Sequence, residues 1–323
     1  MATGRPVNEQ CLTHAHGRAC LITPRWCEFP VADRPDAVQK YLKTADSRLG
    51  DWLYLVETDY VWRAPLPAPP LPSPTAPATA TRAYTFHFHY INPMWPGVRE
   101  VLLRMAPQLN GDVTKIPCAG PAPALITASD LEKLTPDWVR FADWIEHDQE
   151  AKDKLGWVRE MYAYDVAAHI NGIVHEVQDP GATMTITQPP ADEHVGRAAS
   201  FHYTWGAQFK NSSGGVVWEF DKRPYVETRH VRHISTAGLP SLPPTDSVEK
   251  GYKLQDGKPV TPALLAIETD MLQHMRAACQ RLPDLPDSPG CGWQDGEPAC
   301  TQFGCVAGEL CTPQGRTFKL PDE

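Results

Sequence analysis

Two carboxylates close an apolar run: in "DWLYLVETDY", Trp52 to Val56 lead straight to Glu57 and Asp59. Residues i and i+2 of a strand share a face. At the carboxyl end of a strand in an α/β sheet, that face opens onto the crevice where ligands bind. Two hard oxygen donors there suit Mg²⁺ or Mn²⁺ held with substrate phosphates. A solvated strand end carries the same pattern. His202, in "SFHYTWG", stands at the end of a predicted strand. It joins a metal set only if the fold brings it to Asp59, and is otherwise a satisfied polar residue. Glu160 edges a helical stripe formed by Trp157, Met161, Tyr164 and Ala168. A carboxylate flanked by aromatics is either desolvated and functional or hydrogen-bonded and structural. Lys222 and Arg223, in "WEFDKRPY", follow a predicted strand. Such a cation pair holds a pyrophosphate or forms a surface turn.

Other groups carry weaker signals. His87 and His89 in "TFHFHYI" share one strand face and offer a second metal pair, or a half-buried strand. Cys11, Cys20 and Cys27 lie beside His14 and His16, without a common zinc spacing. Cys291, Cys300, Cys305 and Cys311 crowd the tail and read as a two-disulfide knot of an oxidising compartment. Asn211-Ser212-Ser213 is a glycosylation sequon.

The elements that must position these groups follow from periodicity and punctuation. A helix is expected from Arg34, with Val38, Tyr41, Leu42 and Ala45 at helical spacing and Gly50 as its end. Strands are expected at 52–56, 83–91, 124–127, 173–178, 183–187, 199–204 and 216–220. Helices are expected at 97–106, from a Ser129–Glu132 capping box, from Thr135-Pro136, over 156–172 and over 263–281. Two proline-rich loops, 64–82 and 239–262, interrupt the pattern. Strands alternating with helices predict an α/β domain with a mainly parallel central sheet. It would span 31–283, between an irregular segment 1–30 and a cysteine-rich tail 284–323.

The totals narrow the function. The 323 residues are 42% hydrophobic, enough for a large core, and the net charge is -9. An acidic balance speaks against a nucleic-acid partner, which needs a basic face. No apolar run is long enough to span a bilayer, and the first 20 residues lack a signal-peptide layout. Phosphate-loop, HExxH, GxSxG and CxxC motifs are absent from the sequence.

Read in order, "ADRPDAVQKYL", "DWLYLVETDYVWRAPLP", "FHYINP", "LEKLTPDW", "GWVREMYAY", "ITQPP", "FHYTWG" and "EFDKR" resemble the plant and algal hydroxyproline O-arabinosyltransferases over about residues 32–225. Peptidyl-serine α-galactosyltransferases are more distantly similar. The resemblance implies a GT-A-like glycosyltransferase domain; the family's uridine-holding strand has no visible counterpart before the "RP" helix, so the chain is expected to be either N-terminally incomplete or a divergent member that binds UDP poorly. It implies transfer of L-arabinofuranose from a UDP-sugar to hydroxyproline of secreted or cell-wall proteins, in the Golgi lumen, retaining and dependent on Mn²⁺ or Mg²⁺. On that reading Asp59, Glu57 and His202 hold the metal, and Glu160 serves the anomeric centre or orients the acceptor. Lys222, Arg223, Gly120 and Tyr203 face the donor, while Trp157, Tyr162 and Gln188 face substrate. Tyr60 stands where the family has histidine. Ile116 to Pro123 lack an acid and an amide of the family's pattern, which bears on donor-sugar choice. The competing readings are a serine-directed galactosyltransferase-like enzyme and a non-catalytic, glycoprotein-binding member.

Overall fold

The strand Trp52–Leu55, which leads to Glu57 and Asp59, pairs along its whole length with Ala124–Thr127, so two short apolar segments bury each other. The computed structural model describes residues 11–14, 17–20, 29–69, 82–222, 239–281, 305–306, 309–311 and 317–319. In chain order the strands are β1 (Cys11–His14), β2 (Gly17–Cys20), β3 (Trp52–Leu55), β4 (Tyr60–Trp62), β5 (Arg82–Phe86), β6 (Ala124–Thr127), β7 (Val174–Gln178) and β8 (Ile186–Thr187). They continue with β9 (Ser200–His202), β10 (Gly206–Lys210), β11 (Val216–Asp221), β12 (Lys253–Leu254), β13 (Cys305–Val306), β14 (Glu309–Cys311) and β15 (Thr317–Lys319). The helices are α1 (Arg34–Tyr41), α2 (Val98–Met105), α3 (Ala128–His147), α4 (Gln149–Leu155), α5 (Arg159–Ile170) and α6 (Pro262–Cys279).

The protein is mixed α/β, but its sheets are small and mixed in direction. The central sheet runs β3-β6-β5-β7. Only β5–β7 is parallel; β3–β6 and β6–β5 are antiparallel. This corrects the expected mainly parallel sheet. A parallel pair needs a long crossover, and the segment from β5 to β7 supplies one through α2 to α5. Within that crossover β6 turns back and inserts between β3 and β5 in the opposite sense. A second sheet, β4-β9-β8, and a third, β11-β10-β12, lie further along the chain. The strands β1, β2 and β13 form another small sheet, and β14 pairs with β15.

Several elements differ in extent from the sequence reading. The helix from Arg34 closes at Tyr41, and a 3-10 turn over Ala45–Arg48 follows it. The strand predicted to reach 91 ends at Phe86, because Phe88 N bonds to Cys118 O and leaves the ladder. His87 and His89 therefore sit on a loop, not on one strand face; His87 Nδ1 meets Asp179 Oδ1 at 3.2 Å. The two helices expected from Ser129 and Thr135 are one, α3. Its cap is Thr127, whose hydroxyl accepts from Asp130 N. Pro136 removes one backbone bond from the interior, while the Thr135 hydroxyl donates to Leu131 O. Packing outweighs that loss, since Trp138, Phe141 and Ile145 are all buried. The strands β4 and β10 have no counterpart in the sequence reading.

Two hydrophobic cores result. The first holds α3 and α5 against the central sheet, with Trp138, Phe141, Tyr162 and Tyr164 fully buried. The second packs α6 on β9, β10 and β11 through Phe201, Phe209, Phe220, Leu264 and Met271. Among the described residues, no helix is long and apolar enough to cross a membrane. Arg223, Cys27, Cys291 and Cys300 lie outside the described residues, as do the side chains of Cys11, His14, Cys20, Cys305 and Cys311. The zinc and disulfide expectations rest on those groups.

Candidate functional site

The short link from β3 to β4 carries Glu57 and Asp59 across from the first core to the second sheet. There β4 pairs antiparallel with β9, with Tyr60 opposite His202. That register sets the histidine beside the two acids. His202 Nε2 lies 3.3 Å from Asp59 Oδ2 and 3.7 Å from Glu57 Oε2. One donor atom from each residue falls within 4.8 Å of the others. The three line a crevice of about 1080 Å³, together with Arg34, Glu160 and Lys222.

Each charged group has a structural cause for its state. Burial pushes the Asp59 carboxyl up, but bonds and charge from His202 and Lys222 outweigh it and hold it down at about 2. Asp59 Oδ1 is buried and has no hydrogen-bond partner among the described residues. Glu160, in the first turn of α5, is 2% exposed. Burial raises its carboxyl to about 7, with Glu57 adding to the rise and the Arg34 guanidinium opposing it. Its Oε1 also lacks a partner among the described residues.

Arg34 joins these groups. It opens α1, and its guanidinium reaches Glu160 Oε2 at 3.2 Å and pairs with Glu57 Oε1. A planar fork suits two carboxylates better than an ammonium would. The sequence reading placed Arg34 only as a helix start. Its place in a family-like string, next to a proline, marks a helix entry and does not point to its two carboxylate partners.

The other sequence candidates are distributed around this centre. Gln188 is buried and lies 2.8 Å from His202 Nδ1 through its amide nitrogen. As placed, the amide donates to Nδ1, and Nε2 is the ring nitrogen turned toward the two acids. Lys222 pairs with Asp59 Oδ2, and its Nζ lies 5.4 Å from the Tyr203 ring centroid. The β10–β11 hairpin delivers Lys222, because its backbone N bonds to Trp205 O at 2.8 Å. Gly206, at φ 124, makes that register possible: a Cβ there would lie 1.8 Å from Phe220 O. Trp157 is 72% exposed at the crevice wall. It meets the Phe29 ring edge-on at 5.5 Å, and the Arg159 guanidinium covers Phe29 at 3.6 Å. Gly120 sits behind the crevice wall, where a Cβ would come within 2.4 Å of the Met161 methyl. Tyr162 is buried in the core, its hydroxyl accepting from Asn92 N at 3.0 Å. Among the described residues His87 and His89 join no cluster of three metal-ligating groups.

The donor set fits a hard divalent cation: two carboxylates, one imidazole, and an unpartnered buried oxygen on Asp59. Fold and site together define a mixed α/β protein whose crevice joins such a donor cluster to a buried carboxylate through one arginine. Residues 19–177 match the model of the hydroxyproline O-arabinosyltransferase family N-terminal domain. The chain is 31% identical over 232 residues to hydroxyproline O-arabinosyltransferase PLENTY of Lotus japonicus, covering 70% of this chain and 58% of that protein. It is 31% identical over 234 residues to hydroxyproline O-arabinosyltransferase NOD3 of Pisum sativum, covering 70% of this chain and 63% of that protein. It is 30% identical over 212 residues to hydroxyproline O-arabinosyltransferase 1 of Arabidopsis thaliana, covering 64% of this chain and 54% of that protein. The chain belongs to the hydroxyproline O-arabinosyltransferase family, and spans about six tenths of the length of these relatives. No solved structure matches it.

Proposed function

We propose that this chain transfers L-arabinofuranose from a UDP-sugar to the hydroxyl of hydroxyproline in secreted or cell-wall proteins, with retention of configuration, in the Golgi lumen. The observation that carries the reading is the convergence of Glu57, Asp59, His202 and Glu160 on one crevice. Its place in a GT-A-like scheme rests on the family's matched motifs.

Glu57, Asp59 and His202 would hold Mn²⁺ or Mg²⁺. When bound, such an ion neutralises charge on a diphosphate leaving group. Lys222 adds a second positive group on the same side of the crevice, where charge develops as the sugar departs. Glu160 presents a carboxylate inside a desolvated wall. There it stabilises positive charge at the anomeric carbon or orients the acceptor hydroxyl. Arg34 keeps that carboxylate available as the anion near neutral pH, against burial. Tyr203 and Lys222 face the donor, and the exposed Trp157 ring faces the acceptor side.

The test is transfer from a panel of UDP-sugars to a hydroxyproline peptide and to its serine analogue, with Mn²⁺ and with EDTA. Arabinose on hydroxyproline, lost with EDTA, is the expected result. Galactose on serine would overturn the donor and acceptor. Asp59→Asn and His202→Ala should each lower the rate by about a hundredfold or more, as loss of charge stabilisation in a catalytic site does. Turnover unchanged in both would sink the metal assignment.

A further inference from the structure

Two cations stand on the acids of the crevice, and they are held differently. The Arg34 guanidinium is clamped between two carboxylates, Glu57 and Glu160. Among the described residues the Lys222 ammonium contacts one, through Asp59 Oδ2, the oxygen that His202 Nε2 also approaches at 3.3 Å. Lys222 therefore occupies the face of Asp59 that the donor cluster shares. An ammonium and a divalent cation held by one carboxylate would repel each other, the more so in a partly desolvated wall.

Lys222 also has somewhere to go. Its backbone is fixed by the bond to Trp205 O. Its side chain is a flexible four-carbon stem, about a third exposed, with a compact charge at the end. Nζ already stands over the Tyr203 ring, 5.4 Å from its centroid, beside the open crevice. Phosphate oxygens brought there would accept the ammonium's hydrogen bonds.

We propose that Lys222 is an internal counter-ion that competes with the divalent cation for Asp59 and moves to the diphosphate when a nucleotide sugar enters. Cation and nucleotide then bind cooperatively, and the lysine is the coupling element. The inference rests on the reading of the crevice as a site for a divalent cation and a nucleoside diphosphate. By linkage, whatever factor UDP adds to cation affinity, the cation adds to UDP affinity.

The test measures free Mn²⁺ by electron paramagnetic resonance in titrations of the intact chain, with and without UDP, and uses no turnover. In the wild type, UDP should tighten Mn²⁺ binding by about tenfold or more, within the usual range of coupling between sites. Lys222→Met should bind Mn²⁺ alone about tenfold more tightly, and UDP should then add less than about threefold. Lys222→Arg, which keeps a cation, should retain the weak binding of Mn²⁺ alone. Melting curves check that each variant is folded. If Lys222→Met binds Mn²⁺ as the wild type does, or keeps the full UDP effect, the competition is refuted. If the wild type takes up no Mn²⁺ with or without UDP, the reading of the crevice itself falls, and the proposal with it.

Discussion

At the scale of single residues, the site is decided by which group faces which charge. Glu160 would be a poor anion in its wall without Arg34, since burial and Glu57 both favour the protonated form. Arg34→Gln should therefore raise the Glu160 pKa further above about 7. Transfer that uses the ionised carboxylate would then lose more rate at pH 6 than at pH 8, and the acid limb of the pH–rate profile would move up. An unmoved limb would show that Glu160 does not titrate in the rate. That Glu57 and Asp59 would share a face was legible from their spacing at a strand end, but a solvated strand end carries the same pattern, so spacing alone did not mark a site. That His202 would stand beside Asp59 was legible only through order within the matched motifs, since nothing local separates it from any other polar strand residue. Arg34 was not legible as a site residue: its partners lie 23 and 126 positions away in the chain.

Among the elements, α6 carries the least expected residue. Glu268 is fully buried, and neither carboxylate oxygen finds a hydrogen-bond partner among the described residues. Burial raises its pKa to about 8. The neutral form is thus the one the fold accepts. Between the unfolded carboxyl value near 4.5 and about 8, the native state holds a proton that the unfolded chain has released. Stability from this group is complete below that unfolded value and is lost as pH rises through about 8. Its slope is at most about 1.4 kcal/mol per pH unit. Glu268→Gln should flatten this dependence, and denaturant midpoints at pH 6 and 8.5 would show it. A wild type and variant with parallel curves would refute the assignment. The helices α2, α5 and α6 were legible in the sequence to within a few residues. The strand from 83 was overextended because alternation persists past the last ladder bond. The merging of two helices into α3 was hidden because Thr135-Pro136 carries a start signal that burial of Trp138 overrides.

For the whole molecule, the crevice lies where separate parts of the chain meet. Glu160 comes from the first core, Asp59 and His202 flank β4 and β9, and Lys222 follows β11 of the third sheet. A ligand that bridges them binds only the folded state and stabilises it by mass action. At about a hundred times its dissociation constant, that amounts to roughly 2.7 kcal/mol. Mn²⁺ with UDP should raise the melting temperature of the wild type by several degrees, and should do little for Asp59→Asn. Calorimetry checks this, and equal shifts in both proteins would place the ligand elsewhere. The mixed sheet was the architectural feature least legible in the sequence. Alternating strands and helices predict parallel pairing, but strand direction depends on where β6 inserts, which no local pattern records.

Gly120 and Met161 make one joint. The methyl of Met161 fills the space where any larger residue at 120 would put its first carbon, and the same methionine lines the crevice. The two positions should therefore drift together across lineages. Gly120→Ala should lower the melting temperature alone and be rescued by Met161→Ala, whereas additive losses would show the positions vary independently.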